Sequence, residues 1–388
     1  MTNKIQTFVI VGGGYAGINL LKKLRKVFNN ELSNGDIRVV LVDKNVYHFK
    51  KVKLFKGIVE EEVSNLQIPL TNYGDQSIEF LQGEVFTIQP EKQQLLIRTN
   101  SDEIIQLDYD KLILATGSVG CKVDPQKGGI VLNNMREAKR IRTEILNQLS
   151  SSRTVKIAIA GAGITGIETA AEISTWLNKE MRIKGVQNKT IEVILINSKH
   201  KLLSEVPNQV STKLEKRLNK LGVKVLHNQR VDSYLDSKLI LSDETLLEVD
   251  MCIWTVGLEP HPCLKNFGLP LTEEGKLKVD SWYRVQEVEN IYSIGDCVHV
   301  VDPSSGLYAE MSCKEAIAQA QRLAKVIKAE IEGTESNPHQ NYPSLLCIGL
   351  GPEDGLVWAK KWGIDFILTG KVAERVREYT WEYASLSQ

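Results

Sequence analysis

The sequence lacks the features that mark several large classes of protein. No apolar run reaches the roughly 18 residues that a membrane-spanning helix needs, so we expect no such helix. Its six cysteines form no C-x-x-C pair and no tight metal spacing, which argues against a metal centre. Lys plus Arg and Asp plus Glu both number 48, and this balance gives no basis for a nucleic acid partner.

A secretion signal is also missing from the first residues. The segment MTNKIQ is short and polar, and an apolar strand follows it at once. Scattered cysteines without such a signal are typical of reduced thiols in the cytosol. We therefore expect a cytoplasmic protein, and a peripheral position at the inner face of the cell membrane stays open.

Two copies of one pattern dominate what the sequence does contain. FVIVGGGYAG at 8–17 and IAIAGAGITG at 157–166 each combine a short apolar strand, a glycine turn and the start of a helix. In both halves a second strand, a segment of alternating apolar and polar residues and a further strand follow. This repeated order predicts an α/β fold with two Rossmann-like domains carrying antiparallel β inserts. A small C-terminal α+β piece completes the prediction.

Individual elements follow from periodicity. Apolar spacing predicts helices over 15–28, 134–149, 164–181, 207–221 and 313–331. Alternation over 77–107 and again over 231–249 predicts antiparallel strands. The tail predicts a hairpin or small sheet and then a terminal helix, with Val372, Val376 and Tyr379 on one apolar face.

The first glycine turn carries a phosphate-binding pattern. Gly12 permits a tight turn, Gly14 lets the backbone approach a pyrophosphate, and Gly17 lets the helix lie close to the strand. The N–H groups at the start of the helix then favour phosphate. Asp43 ends the next strand and is a candidate acceptor for ribose hydroxyls. We therefore predict a dinucleotide site at this corner.

The second glycine turn repeats the pattern at Gly161, Gly163 and Gly166. Asn197 occupies the position where an acid usually reads the ribose, and an uncharged amide would not repel a 2′-phosphate. The choice between NADH and NADPH therefore stays open. Two dinucleotide sites in one chain suit a tightly bound FAD and a visiting NAD(P)H, since a hydride can pass from nicotinamide C4 to flavin N5.

The ordered set of motifs resembles the two-dinucleotide-fold flavoproteins. Besides the two glycine turns and Asp43, it includes LILATG at 112–117, TVG at 255–257 and IYSIGDC at 291–297. That group includes pyridine nucleotide-disulfide oxidoreductases, type II NADH dehydrogenases and apoptosis-inducing-factor-like proteins. The resemblance implies a glutathione-reductase-like fold, with FAD at the N-terminal corner and NAD(P)H at the central one.

The resemblance also assigns residues and domains. The implied FAD contacts are Gly12, Gly14, Tyr15, Ala16, Gly17, Asp43, Lys44, Val85, Ala115, Thr116, Gly117, Gly295 and Asp296. The implied NAD(P)H contacts are Gly161, Gly163, Ile164, Thr165, Gly166, Glu168, Asn197 and Gly257. The expected FAD domain is split over 1–120 and 271–335, the NAD(P)H domain covers 121–270, and 336–388 form a C-terminal cap.

Two residues are candidates for chemistry beyond binding. By resemblance Glu168 lies near the stacked nicotinamide and flavin and relays a proton or orients the ring. An acid in the first turn of a helix is equally explained by the helix dipole. Cys313 is either redox-active beside the flavin or a packed thiol. Residues 44–70 contain no cysteine, which excludes the redox-active disulfide of the disulfide reductases.

The function expected is an FAD-dependent NAD(P)H oxidoreductase that passes electrons to a quinone, a dye-like compound or oxygen. Lys314 and Ala318 stand where type II NADH dehydrogenases carry glutamines beside the quinone, which weakens the quinone expectation. The alternatives are a reductase of a soluble electron-carrier protein and a non-enzymatic flavin- and NAD(P)H-binding signalling protein. We expect the terminal helix to pack on the protein's own body or on a partner in a homodimer, and membrane contact is the alternative.

Overall fold

The computed structural model describes residues 5–63, 66–74, 78–151, 154–183, 189–255 and 257–386. The first third of the chain builds most of one parallel sheet and a small antiparallel sheet. Its elements are β1 (Gln6–Val11), α1 (Tyr15–Val27), α2 (Asn29–Ser33), β2 (Ile37–Asp43), β3 (Tyr47–Phe49), α3 (Lys56–Val59), β4 (Gln67–Pro69), β5 (Ile78–Gln82), β6 (Glu84–Gln89), β7 (Gln94–Arg98), β8 (Ile104–Asp108), β9 (Lys111–Leu114) and β10 (Ser118–Gly120).

The middle third repeats this plan with a second parallel sheet and its own antiparallel insert. Its elements are β11 (Ile130–Val131), α4 (Met135–Ser151), β12 (Thr154–Ala160), α5 (Ile164–Ile183), β13 (Thr190–Ile196), α6 (Asn208–Lys220), β14 (Val223–Leu226), β15 (Val231–Leu235), β16 (Lys238–Leu241), β17 (Leu246–Glu248), β18 (Met251–Trp254) and β19 (Leu258–Pro260).

The last third returns to the first sheet and then forms a separate antiparallel sheet with a terminal helix. Its elements are β20 (Leu277–Lys278), β21 (Ile291–Ser293), β22 (Val298–His299), α7 (Cys313–Glu332), β23 (Leu345–Gly349), β24 (Gly355–Lys361), β25 (Ile364–Thr369) and α8 (Lys371–Ala384). The predicted small sheet and terminal helix are thereby confirmed.

Both large sheets are parallel and five-stranded, in the orders β21-β9-β1-β2-β5 and β11-β18-β12-β13-β14. Strands buried on both faces read as continuous apolar runs, which is why β1 and β12 could be predicted from the sequence. The first sheet takes β21 from the far end of the chain, and α7 packs against α1. Residues that come before the second sheet in the sequence and residues that come after it therefore share one hydrophobic core.

One predicted strand pairing is wrong. Residues 78–82 form β5, which pairs in parallel with β2 from Val39–Ile78 to Asp43–Gln82. The strand lies at the edge of the sheet, with Ile78 buried and Glu79 exposed, so its first residues alternate as those of an antiparallel strand would. The rest of the alternating segment, β6 to β8, is antiparallel as predicted, and so are β15 to β17.

The terminal helix α8 packs on β23 and β24, and only part of the predicted apolar face takes part, since Val376 packs against the cluster of Cys347, Val357 and Ala373. Val372 and Tyr379 are 60% and 57% exposed. The buried face instead carries Ala373, Arg377 and Trp381, so a charged residue lies where the sequence pattern called for an apolar one. Among the described residues, no helix combines the length and the apolar character needed to cross a membrane.

Candidate active site

The first glycine turn has the geometry that its sequence predicts. Gly12 has a φ of +111°, and a β-carbon added there would lie 2.3 Å from the Ala115 carbonyl oxygen. A β-carbon at Gly17 would lie 1.9 Å from the Gly12 carbonyl oxygen, so only glycine lets α1 approach β1 this closely. A β-carbon at Gly14 would meet no atom within 4 Å. Gly14 therefore faces open space, as a backbone that receives a ligand must.

A cavity of about 240 Å³ opens beside this turn, at the carboxyl ends of β1, β2 and β9. Its wall includes many of the predicted flavin contacts, namely Gly12, Gly14, Asp43, Lys44, Val85, Ala115 and Thr116. Residues that the sequence did not indicate also line it, among them Lys51, His261 and Cys263. Burial raises the pKa of the Cys263 thiol to about 12, so this wall presents an uncharged thiol at neutral pH.

Asp43 fixes the glycine turn as well as lining the cavity. One carboxylate oxygen accepts the Gly13 N–H at 2.6 Å, and the other accepts the Asn45 N–H at 2.7 Å. On the other side of the turn, the Gly13 carbonyl lies 3.0 Å from Nδ1 of His48, a buried histidine. His48 therefore supports the turn on the side away from Asp43.

Gly295 and Asp296 approach the same corner from the end of β21. A β-carbon at Gly295 would lie 3.0 Å from the Ala16 side chain, and the Gly295 N–H donates to Oε1 of Gln319 at 2.7 Å. The Ser118 hydroxyl donates to Asp296 at 2.6 Å. Burial raises the pKa of Asp296, and the Ser118 hydrogen bond and the Lys51 charge oppose that rise. These contacts join the beginning of α1, the end of β21 and α7 into one frame.

The residues around the cavity fit FAD. The Thr116 hydroxyl lines the cavity and is buried without a hydrogen-bond partner among the described residues, so a ligand oxygen would satisfy it. The open backbone at Gly14 suits a pyrophosphate, and Asp43 offers an acceptor to a ribose. The other predicted contacts do not line the cavity itself, namely Tyr15, Ala16, Gly17, Gly117, Gly295 and Asp296.

The second glycine turn repeats the first closely. Gly161 has a φ of +116°, and a β-carbon there would lie 2.6 Å from the Thr255 carbonyl oxygen. A β-carbon at Gly166 would lie 1.8 Å from the Gly161 carbonyl oxygen, whereas one at Gly163 would meet nothing within 4 Å. Ile164 and Thr165 are exposed at the start of α5. This corner is therefore also open to a phosphate-bearing ligand.

Two other predicted nicotinamide contacts have local partners. The Asn197 amide donates to the Lys199 and Lys201 carbonyls at 3.0 and 2.9 Å and lies 2.9 Å from the His227 ring. It therefore closes the loop after β13. The Gly257 carbonyl accepts the Cys121 N–H at 2.9 Å, where the chain crosses between the two halves.

Glu168 lies two residues beyond Gly166, but its carboxylate is not free. Arg377 of α8 donates to both carboxylate oxygens, from Nε at 2.8 Å and from Nη2 at 3.0 Å. The Gly349 N–H donates to the same carboxylate at 2.9 Å. This pairing could not be predicted from the sequence, because the partners of Glu168 lie more than 180 residues away.

The remaining candidates lie at the start of α7. Burial raises the pKa of the Cys313 thiol, although Arg377 and Lys314 act to lower it, which fits a packed thiol better than a reactive thiolate. The Lys314 ammonium donates to the Leu345 carbonyl and so ties α7 to the C-terminal sheet. Gln319 is buried, and its Oε1 accepts the Gly295 N–H, as described above.

Twin glycine turns of matching geometry, each at the carboxyl edge of a parallel sheet, define a protein with two dinucleotide sites. A family model described as pyridine nucleotide-disulphide oxidoreductase matches residues 6–325, and the chain belongs to this family. It is an FAD-dependent NAD(P)H oxidoreductase, which confirms the cofactors expected from the sequence.

Individual relatives are distant but nearly full-length. A probable NADH dehydrogenase of Dictyostelium discoideum is 22% identical over 343 residues, covering 83% of this chain and 74% of the relative. The demethylphylloquinone reductase NdbB of Synechocystis is 24% identical over 395 residues, covering 99% and 93%. The structure of NDH2 from Plasmodium falciparum in complex with NADH superposes with a TM-score of 0.81 at 18% identity, covering 98% and 96%. That structural likeness supports the fold.

Proposed function

We propose that this oxidoreductase delivers the electrons of NAD(P)H to a quinone. The observation that carries the proposal is the repeated geometry of the two glycine turns. One turn lies beside a cavity whose lining residues suit FAD, and the other is open at the start of α5. When bound, FAD accepts a hydride from a nicotinamide and passes its electrons on. A quinone is favoured as acceptor because a relative that spans nearly the whole chain is named a demethylphylloquinone reductase.

Different residues of this chain bind different parts of FAD and NAD(P)H in this proposal. Gly12, Gly14 and the start of α1 hold the pyrophosphate of FAD, and Asp43 holds its adenosine ribose. Asp296, kept in place by Ser118, receives the ribityl hydroxyls. Gly161, Gly163 and Gly166 hold the pyrophosphate of NAD(P)H. Lys199 and His200 are exposed in the loop that Asn197 closes, and their side chains are candidate contacts for a 2′-phosphate.

The same observations support three units in the chain. The FAD unit combines 1–120 with 271–335, because α7 and β21 pack into the core that contains β1 and α1. The NAD(P)H unit covers 121–270. Residues 336–388 form a cap whose helix α8 reaches both other units, through Glu168 of α5 and through Asn19 of α1, which donates to the Ala384 carbonyl at 2.9 Å. We propose a structural role for α8 in place of membrane attachment.

Steady-state turnover with a panel of acceptors tests the quinone assignment. Purified flavin-loaded protein is given NADH or NADPH with short-chain benzoquinones, naphthoquinones, a ferredoxin or oxygen. We expect kcat/KM to be at least tenfold higher for one of the quinone classes than for ferredoxin or oxygen. A preference for ferredoxin would instead identify a reductase of a soluble electron carrier. Flavin that NAD(P)H does not reduce, with a change in oligomer size on binding, would support a signalling protein.

A further inference from the structure

Four lysines follow β3 within seven residues, and one of them differs from the rest. The Lys50 and Lys53 ammonium groups both pair with Glu382 of α8, Lys50 at 2.6 Å. The Lys56 ammonium pairs with Glu172 of α5, also at 2.6 Å. Lys51 instead points to the other side of the segment and lines the flavin cavity.

Lys51 is a cation on the cavity wall that is exposed to the cavity and has no carboxylate partner among the described residues. Its ammonium donates to the Ser118 carbonyl at 2.8 Å, and among the described residues it forms no salt bridge. Partial desolvation in the cavity wall lowers the pKa of Lys51, while the negative charges of Asp296 and Asp43 act to raise it. A cation held on a cavity wall in this way is suited to an anion that binds in the cavity.

The position of Lys51 favours the flavin end of that cavity. Its carbonyl partner, Ser118, directly follows the turn at 115–117 and donates its hydroxyl to Asp296. The pyrophosphate already has its own site at the start of α1, where the glycine backbone is open. The adenosine ribose also has its own acceptor, Asp43, at the end of β2. Lys51 is therefore available to the part of FAD whose charge changes during turnover.

We propose that Lys51 is the counter-cation of the reduced flavin ring and raises its reduction potential. When NAD(P)H gives up a hydride and becomes NAD(P)⁺, the flavin gains two electrons and one proton, and a neutral ring becomes an anion. An ammonium held on the cavity wall stabilises that anion more than the neutral ring. This inference rests on flavin binding at the cavity and assigns to Lys51 a role that the glycine turns do not supply.

The test compares flavin-loaded wild type with K51Q at saturating FAD. Its two readouts are the midpoint potential and the affinity for sulfite, which adds to the oxidised ring and leaves it negatively charged. We expect K51Q to bind sulfite at least tenfold more weakly. We also expect the ratio of its affinity for reduced FAD to its affinity for oxidised FAD to fall at least tenfold. For a two-electron couple, a tenfold fall lowers the midpoint potential by about 30 mV.

Two control variants separate charge from packing. K51R retains the positive charge and should stay within threefold of wild type in sulfite affinity. K53Q removes a neighbouring lysine that Glu382 already neutralises, and it should leave the potential unchanged. Unchanged sulfite affinity and potential in K51Q would overturn the proposal, and so would equal weakening of oxidised and reduced FAD. Wild-type protein that binds no FAD would refute the flavin site itself, a different failure.

Discussion

Arg377 of α8 donates two hydrogen bonds to the carboxylate of Glu168, near the start of α5, at 2.8 and 3.0 Å. Both side chains are almost fully buried, with exposed fractions of 9% and 2%. This planar, two-pronged geometry is the one in which arginine binds a carboxylate most specifically. The C-terminal cap is thereby fixed to the helix that begins at the proposed NAD(P)H site.

Removing one partner of this buried pair should destabilise the protein strongly. R377M leaves the Glu168 carboxylate buried without its cation, so we expect the free energy of unfolding to fall by about 3–5 kcal/mol. Urea denaturation of flavin-loaded protein measures the change. R375M, which removes an exposed arginine of the same helix, serves as the control and should change stability by less than about 0.5 kcal/mol. A loss below about 1 kcal/mol in R377M would show that the pair contributes little.

Glu168 itself should matter more for structure than for chemistry. E168Q keeps the shape of the side chain, and its carboxylate oxygens are already occupied by Arg377 and Gly349. We therefore expect flavin reduction by NADH in folded E168Q to slow by less than about tenfold. Loss of a general acid or base typically slows a reaction by about 10²–10⁴-fold. A slowing of that size, together with a changed pH profile in rapid-mixing experiments, would instead assign Glu168 the catalytic role that the resemblance implies.

Two alanine substitutions in the first corner should separate packing from ligand approach. G17A forces a β-carbon to within 1.9 Å of the Gly12 carbonyl oxygen, so we expect loss of stability together with loss of FAD. G14A meets no atom within 4 Å, and its φ of −75° suits any residue. Stability of G14A apoprotein should therefore hold or rise by about 0.4–1 kcal/mol, while FAD affinity falls. Thermal unfolding and FAD titration give the two readouts, and unchanged FAD affinity in G14A would contradict the assigned pyrophosphate site.

His48 should make the protein less stable as the pH falls. Burial lowers the pKa of His48 to about 4, against 6.5 for an exposed histidine. Between these two values the unfolded chain binds a proton that the folded chain does not, so stability is full above about pH 6.5 and declines toward pH 4. The decline attributable to His48 reaches about 3 kcal/mol. Urea unfolding of wild type and H48Q across this range measures it, and parallel pH profiles for the two proteins would refute it.

The sequence predicted features that depend on neighbouring residues and missed those that depend on distant ones. Buried parallel strands and glycine turns carry their signal within about ten residues, so both corners were correctly placed. Strand β5 was predicted to pair antiparallel to its neighbour, because the first residues of this edge strand alternate between apolar and polar. The buried face of α8 was missed because Arg377 is an unexpected core residue until its partner Glu168 is known. Lys51 could not be singled out among its neighbouring lysines before the cavity was seen.

Anaerobic rapid mixing of the purified protein with NADH and with NADPH tests the central claim, that two dinucleotide corners bring a nicotinamide to a bound flavin. We predict a yellow protein with one FAD per chain, whose absorbance near 450 nm bleaches on mixing and recovers when a quinone is added. A colourless protein that takes up no stoichiometric FAD on reconstitution would contradict the claim. Bound flavin that neither nucleotide reduces would contradict it equally.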